Sequence, residues 1–323
     1  MKEKTTEKVY HYCSVETFLN IIRNRTIRLS DVNKSNDYLE LKAMCSLVID
    51  EIKSLVKSDP EFSGYNGIIG GLNDSDALIS IATFLLERML NYNDLLCYAV
   101  CFSEESDLLS QWCRYADDGR GVAIGFDVEL FEEICSEFEY FKFEKVTYVG
   151  NNKQNSDVTQ IATDFVGNLL TYIVNDRTGE LFIKTGVVGF GEKLLIEMLF
   201  RDCFFIKTEQ FSEEKEWRLA LTDELRKSDD WDEIYNWKDG YSKRGIFQLI
   251  PNGVEFRATS DNIISFMDLN YSKFCGESLI KEIIIGPKSK IEEEDIYQML
   301  KHYFAYDCDI DHILVHKSKV SLQ

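Results

Sequence analysis

Short apolar runs of strand length recur from one end of the chain to the other, and this pattern constrains the fold most strongly. The runs are clustered, and long stretches with helical periodicity separate the clusters, for example at Leu39–Val56 and Val158–Val174. Regular alternation of strand and helix predicts a parallel sheet, whereas clustered strands favour an α+β architecture. We therefore predict a single α+β domain over residues 1–323, with helical insertions at roughly 39–93 and 156–200.

The first thirty residues carry clear local signals. Val9–Tyr12 is typical of a strand, and Ser14 follows it as a candidate helix N-cap, because its hydroxyl can accept a backbone N–H. The spacing of one helical face then recurs in Val15, Phe18, Leu19 and Ile22. A second strand is predicted at Thr26–Leu29.

Further elements are predicted along the rest of the chain from apolar runs and their periodicity. The predicted strands are Leu96–Phe102, Gly121–Phe126, Tyr140–Tyr148, Cys203–Lys207, Trp217–Thr222, Gly245–Ile250, Val254–Ala258, Lys281–Gly286 and His312–His316. The predicted helices, besides the two long ones, are Ala77–Leu90, Leu108–Tyr115, Gly191–Phe200 and Ile291–Phe304.

Charge and cysteine content narrow the class of protein. The 36 basic and 56 acidic residues give a net charge of −20, which repels phosphate backbones and anionic membrane surfaces. Bulk nucleic-acid binding and membrane binding are therefore disfavoured, and no apolar run approaches the roughly 18 residues of a membrane span. The nine cysteines lack CxxC spacing and favour reduced thiols in a cytoplasmic protein.

Three polar clusters stand at the edges of predicted strands, at Val9–Ser14, Cys101–Ser103 and Glu214–Arg218. Each cluster could deliver polar side chains to a common cleft. If Glu214 and Glu216 both belong to a strand, their carboxylates share one face. The alternative is an acidic turn that leads into the strand.

Several segments, taken in order along most of the chain, resemble a bacterial domain-of-unknown-function family, two-nine-seven-one. They are Tyr10–Ser14, Thr26–Asp31, Asn36–Glu40, Cys101–Ser103, Gln111–Ala116, Gly121–Asp127, Glu214–Arg218 and Ile284–Pro287. Members of that family resemble proteins associated with phage defence and abortive infection. The resemblance therefore implies a role in phage defence or in a toxin system.

The order of a strand with histidine, a strand with serine and a Glu-x-Glu motif is also similar, more distantly, to that of the ADP-ribosyltransferase fold. This resemblance implies that His11 and Ser103 hold NAD and that Glu216 bonds the nicotinamide ribose. It also implies that Glu214 faces the acceptor. The chain has Tyr12 where His-Gly is usual, and it lacks the fuller Ser-Thr-Ser pattern before Glu104.

Five more residues are candidates for NAD contact because they belong to these segments: Tyr12, Ser14, Trp112, Tyr115 and Arg218. Several of the candidate site residues also have a purely structural interpretation. Trp112 and Tyr115 are most simply core aromatics, His11 could be a packed histidine, and Ser103 could cap the next turn. No metal site is predicted, because the histidines and cysteine near the end of the chain follow no known ligand spacing.

The expected chemistry follows from the two carboxylates. Breaking the nicotinamide–ribose bond develops positive charge on the sugar, which a fixed carboxylate such as that of Glu216 would stabilise. We expect NAD-dependent ADP-ribosyl transfer to an unknown macromolecular acceptor, or NAD hydrolysis, with NAD as the substrate. The alternative is a catalytically silent defence or regulatory module that recognises a protein partner.

Overall fold

The computed structural model describes most of the chain, with gaps. The described residues are 7–34, 38–58, 79–84, 87, 97–138, 141–150, 156–176, 202–221, 249–272, 279–304 and 310–322. The chain divides into two compact units, the first made of Met1–Lys34, Cys97–Lys145 and Glu213–Gln323, and the second of Ser35–Leu96 and Val146–Ser212. The insertions predicted at 39–93 and 156–200 fall within the second unit.

Among the described residues, ten of the twelve strands lie in the first unit, and the two longest helices, each of 21 residues, lie in the second. The strands are β1 (Lys8–Cys13), β2 (Thr26–Asp31), β3 (Tyr98–Ser103), β4 (Val122–Asp127), β5 (Phe141–Lys145), β6 (Thr147–Val149), β7 (Ile206–Thr208), β8 (Glu216–Leu221), β9 (Glu255–Ala258), β10 (Ile263–Asn270), β11 (Ile280–Ile285) and β12 (Leu314–Lys317). The helices are α1 (Val15–Asn24), α2 (Tyr38–Ser58), α3 (Leu109–Tyr115), α4 (Val128–Glu137), α5 (Ser156–Asp176) and α6 (Glu293–Phe304).

One ten-stranded sheet organises the first unit. Its main path runs β12-β11-β4-β1-β3-β2-β10-β9, and β8 lies between β3 and β5 beside this path. All its pairs are antiparallel except β11 with β12. In the second unit, β6 and β7 form a small parallel pair, and α2 packs against α5.

The sheet branches at β3, which has neighbours on both edges. β8 pairs with all six residues of β3, from Tyr98↔Leu221 to Ser103↔Glu216. The other edge is shared, because β2 pairs with Tyr98 and Ala99 while β1 pairs with Ser103. The strands β1 and β2 therefore diverge along one edge of β3, and α1 connects them.

Two different cores cover the two faces of this sheet near the branch. On one face, Tyr10, Tyr12 and Trp112 pack with Ala116, Ala123 and Ile284. On the other face, Phe102 packs against Phe126, Phe131 and Phe143. The helix α3 belongs to the first face and α4 to the second, because they carry Trp112 and Phe131 respectively.

Most of the predicted elements are confirmed to within a few residues, and so is the mixed α+β class with a mostly antiparallel sheet. Three predictions need correction. Asp202–Phe204 is a helical turn and the strand there is Ile206–Thr208, while the single strand predicted at Tyr140–Tyr148 is two short strands. Leu249 and Ile250, the described end of the strand predicted at Gly245–Ile250, are not in a strand.

Two elements were not predicted at all, the helix α4 and the long strand β10. The helix predicted at Gly191–Phe200 lies outside the described residues, as does part of Ala77–Leu90. Within the described part of the chain, no helix is long and apolar enough to cross a membrane.

Candidate functional site

On the central strands β1, β3 and β8, two of the predicted site residues lie side by side on one face of the sheet. Ser103 on β3 pairs directly with Glu216 on β8 and, on its other edge, with Tyr10 on β1. Directly paired residues of an antiparallel sheet project from the same face. Tyr10, Ser103 and Glu216 therefore form a row across one face of the sheet.

His11 lies on the opposite face from this row. Its ring contacts Phe102 edge-on, with 5.9 Å between ring centroids. Phe102 pairs with Trp217, whose ring packs on Phe143 at 4.9 Å. Since side chains alternate along a strand, Phe102 and Trp217 point away from the face that carries Ser103 and Glu216. The structure thus separates His11 from the two other members of the predicted trio.

The ring of His11 links β1 to β3 by a hydrogen bond beyond the point where the backbones of the two strands are paired. Its Nδ1 lies 3.1 Å from the carbonyl oxygen of Cys101, which can only accept, so Nδ1 carries the hydrogen. Burial lowers the pKa of His11 below its ordinary 6.5, against the opposing effect of this hydrogen bond. The imidazole is therefore neutral at pH 7, and its Nε2 is an acceptor rather than a donor.

The segment from Glu214 to Glu216 is a turn that leads into a strand, which agrees with the alternative interpretation of this motif and not with two carboxylates on one strand face. Glu214 ends a 3₁₀ helix over Glu209–Glu214, and β8 begins at Glu216. Between them, Lys215 has φ +42°, a left-handed conformation that is unfavourable for residues other than glycine.

Ser103 holds this turn in place. Its hydroxyl donates to the carbonyl oxygen of Glu214 at 2.6 Å and accepts the N–H of Glu105 at 3.0 Å. The N–H of Glu104 donates to the carbonyl oxygen of Lys215 at 3.0 Å. The residues at the end of β3 therefore fix the left-handed turn that sets the positions of the two glutamates.

Each glutamate of the motif pairs with an arginine. Glu216 accepts from Arg218 through both oxygens, at 2.7 Å from Nε and 3.2 Å from Nη2. Glu214 accepts from Nη1 of Arg114 on α3 at 2.7 Å. Glu214, Glu216 and Arg218 are buried, whereas the side chain of Arg114 is 47% exposed. Each buried carboxylate therefore has a guanidinium partner, and solvent reaches the arginine that binds Glu214.

Tyr12 and Trp112 brace the loop that joins β3 to α3. The hydroxyl of Tyr12 donates to the carbonyl oxygen of Glu105 at 2.7 Å and accepts the N–H of Leu108 at 3.0 Å. Burial raises the pKa of Tyr12 far above its ordinary value, so its hydroxyl stays protonated. The indole of Trp112 is buried and donates to Asp107 at 2.7 Å.

Ser14 and Tyr115 lie at the ends of their helices. Ser14 is the N-cap of α1, where its hydroxyl accepts the N–H of Thr17 at 3.2 Å, as its sequence position predicts. Tyr115 is the last residue of α3 and is exposed. Asn36 and Asp37, part of the first family resemblance, lie outside the described residues.

Two residues of the site, Tyr10 and Arg114, are not among the site residues predicted from the sequence. Tyr10 takes the place on the Ser103 face that the trio gave to His11, and its hydroxyl donates to Glu282 on β11 at 2.7 Å. The alternation of side chains along β1 places Tyr10 and His11 on opposite faces. Only the register of β1 against β3 shows that Tyr10 is the one on the face of Ser103. Within the described ranges, no group of three or more His, Cys, Asp or Glu side chains could hold a metal ion.

Residues 111–219 match the family model described as Protein of unknown function (DUF2971). This match supports the family resemblance noted from the sequence over α3 through most of β8. It includes Arg114, Glu214, Glu216 and Arg218, but not Tyr10 or Ser103. No curated protein and no solved structure matches the chain.

Proposed function

We propose that the protein cleaves the nicotinamide–ribose bond of NAD and transfers ADP-ribose to a macromolecular acceptor or to water. The observation that carries the proposal is the direct pairing of Ser103 with Glu216 on neighbouring strands, beside Tyr10. NAD is the substrate in this proposal. The setting we propose is phage defence or a toxin system, for which the support is the family resemblance.

Glu216 supplies the central electrostatic effect in the proposed reaction. As the C–N bond breaks, its electron pair leaves with nicotinamide, and the ribose carbon becomes cationic. A buried anion fixed beside that carbon stabilises the developing charge without reorganising at the moment of reaction. The acceptor or water then bonds to the carbon and releases a proton.

Glu214 is the carboxylate that we assign to the acceptor. Its partner Arg114 is half-exposed and comes from α3, so an acceptor arriving from solvent would meet this ion pair. His11 keeps a supporting role at the branch of the sheet, because its ring lies on the opposite face.

The test is nicotinamide release from NAD by wild-type and Glu216→Gln protein, with a bacterial lysate as the source of acceptors. We expect wild-type protein to release nicotinamide and the variant to be slower by at least about 10²-fold, the usual effect of losing one electrostatic contact to a transition state. Asp31→Asn is the matched control, because Asp31 is a buried carboxylate on β2 that accepts from Ser265 and Asn33.

The control should retain the wild-type rate if the effect of Glu216→Gln is specific to the site. Folded wild-type protein that releases no nicotinamide, with or without lysate, would rule the proposal out.

A second candidate is a catalytically silent module that binds a protein partner. The observation in its favour is that the polar groups of the site already hydrogen bond to one another: Arg218 binds Glu216, Arg114 binds Glu214, and the hydroxyl of Ser103 both donates and accepts. The same assay separates the two candidates, because only the first predicts nicotinamide release.

A further inference from the structure

Arg218 and Glu216 form a side-on ion pair within one strand. They are two residues apart on β8, so their side chains project from the same face. Nε of Arg218 lies 2.7 Å from one carboxylate oxygen and Nη2 lies 3.2 Å from the other. The side chains are 4% and 6% exposed. Both oxygens are therefore held by one rigid, planar cation that is shielded from water.

This geometry restricts the carboxylate in two ways. A guanidinium stays protonated at every pH that a folded protein experiences, so it keeps its partner ionised. Its two N–H groups also define a plane and a direction, so the carboxylate cannot rotate without losing one hydrogen bond. A lysine in the same place would supply the charge but not the plane.

The two residues differ in how firmly the backbone holds them. Arg218 lies inside the sheet, where it pairs with Cys101 on β3 and with Glu144 on β5. Glu216 is the first residue of β8 and follows the left-handed Lys215. A side chain that is anchored in a sheet between two strands can fix a partner that stands at the end of a strand.

We propose that Arg218 is a positioning residue that orients the Glu216 carboxylate toward the ribose of NAD. The inference rests on the proposed function. It replaces the expectation that Arg218 contacts NAD directly, since the guanidinium is turned toward Glu216. Arg218 then acts through Glu216 on the step in which the ribose carbon becomes cationic.

The experiment compares kcat and KM for nicotinamide release in wild-type and Arg218→Lys protein. Lysine keeps the positive charge of Arg218 but does not fix the direction of the Glu216 carboxylate. We therefore expect kcat to fall by about 10²-fold, as for a catalytic group misplaced by about 1 Å. KM should change less than about threefold. Glu216→Asp tests the same point from the other side, since it keeps the charge and withdraws the carboxylate from the arginine. It should lower kcat in the same way.

Arg28→Lys is the control. Arg28 also binds a carboxylate through two nitrogens, Nε and Nη2 to Asp268 at 2.8 and 3.0 Å, but on β2 and β10 outside the site. It should leave kcat and KM as in wild type. An equal loss of kcat in Arg28→Lys would mean that the loss of any two-nitrogen arginine–carboxylate pair lowers activity by disturbing the fold. That result would overturn the positioning role.

The outcomes separate the two proposals. If wild-type protein cleaves NAD but folded Arg218→Lys and Glu216→Asp keep the wild-type kcat, the positioning role is wrong and the proposed function stands. A raised KM with unchanged kcat would instead indicate that Arg218 binds NAD directly. If Arg218→Lys does not fold, Glu216→Asp still tests the positioning role, because an unchanged kcat in that variant would overturn it. No release by wild type overturns both.

Discussion

Two buried carboxylates on the same sheet, those of Glu216 and Glu282, are stabilised in different ways. Glu216 receives two hydrogen bonds from one arginine on its own strand. Glu282 on β11 receives hydrogen bonds from Lys8 and Tyr10 on β1 and from His316 on β12. The partners of Glu282 are separate side chains, two of which are about one-third exposed. Glu282 therefore joins strands together, whereas the partner of Glu216 fixes a direction.

A glycine next to Glu282 leaves space for the side chain of Tyr10 to reach this carboxylate. The ring of Tyr10 crosses over Gly125, where a Cβ would lie 2.9 Å from Cε1 of the tyrosine and 3.1 Å from Cβ of Glu282. A glycine in β4 thus allows a side chain of β1 to reach a carboxylate two strands away. Burial raises the pKa of Glu282, but the hydrogen bonds from Lys8, Tyr10 and His316 outweigh it and lower the value to about 2.

The largest effect on stability should come from breaking the Glu216 pair. Arg218→Met removes the cation and leaves a buried carboxylate, which typically costs about 3–5 kcal/mol. The double variant Glu216→Gln/Arg218→Met removes the charge as well and should recover part of this loss. Urea unfolding of the wild type, both single variants and the double variant measures the coupling. Additive losses would show that the two residues are energetically independent.

A smaller effect on the free energy of unfolding, with a defined pH dependence, is expected when the carboxylate of Glu282 is removed. Its pKa is depressed from 4.5 to about 2, so its contribution to stability is present above pH 4.5 and is lost as the pH falls toward 2. A shift of this size corresponds to about 3 kcal/mol. Glu282→Gln should lose that amount at neutral pH and should approach the wild type in acid. Parallel stability curves for the two proteins between pH 7 and pH 3 would contradict this account.

The smallest effect should come from removing a single partner of Glu282. Tyr10→Phe keeps the ring over Gly125 and deletes one hydrogen bond, while Lys8 and His316 still bind the carboxylate. We expect a loss of about 1 kcal/mol in the free energy of unfolding. The measurement is the urea midpoint at pH 7. A loss as large as that of Arg218→Met would contradict the expected difference between the partners of Glu282, which share its stabilisation, and the arginine that orients Glu216.

Local signals in the sequence predicted local structure well. Ser14 is the N-cap that its position before an amphipathic stretch predicts, and α1 ends at Arg25 in a left-handed conformation. The strand β10 shows no clean alternation, because Ser265, Phe266 and Met267 are buried in succession while the apolar Ile263 is exposed. The helix α4 is amphipathic with Asp127 as its N-cap, and both signals are visible in the sequence.

The site was predictable only in part, since it depends on long-range register. Ser103 and Glu216 are far apart in the chain, and their pairing follows from how β3 meets β8. A shift of one residue in the register of β1 would exchange the faces of Tyr10 and His11. The turn at Lys215 depends on hydrogen bonds from Ser103 and Glu104, so the sequence around Glu214 could not show that the turn gives way to β8 at Glu216.

The branch of the sheet at β3 also bears on how the chain is made. β3 ends at Ser103, but β8, which covers one whole edge of it, is complete only at Leu221. On a ribosome that adds about 5–20 residues per second, that edge waits about 6–24 s for its partner. An unpaired edge is a template for wrong partners during that time. Since β1 and β2 precede β3, they can occupy its other edge at once, so β3 itself is left open on one edge only.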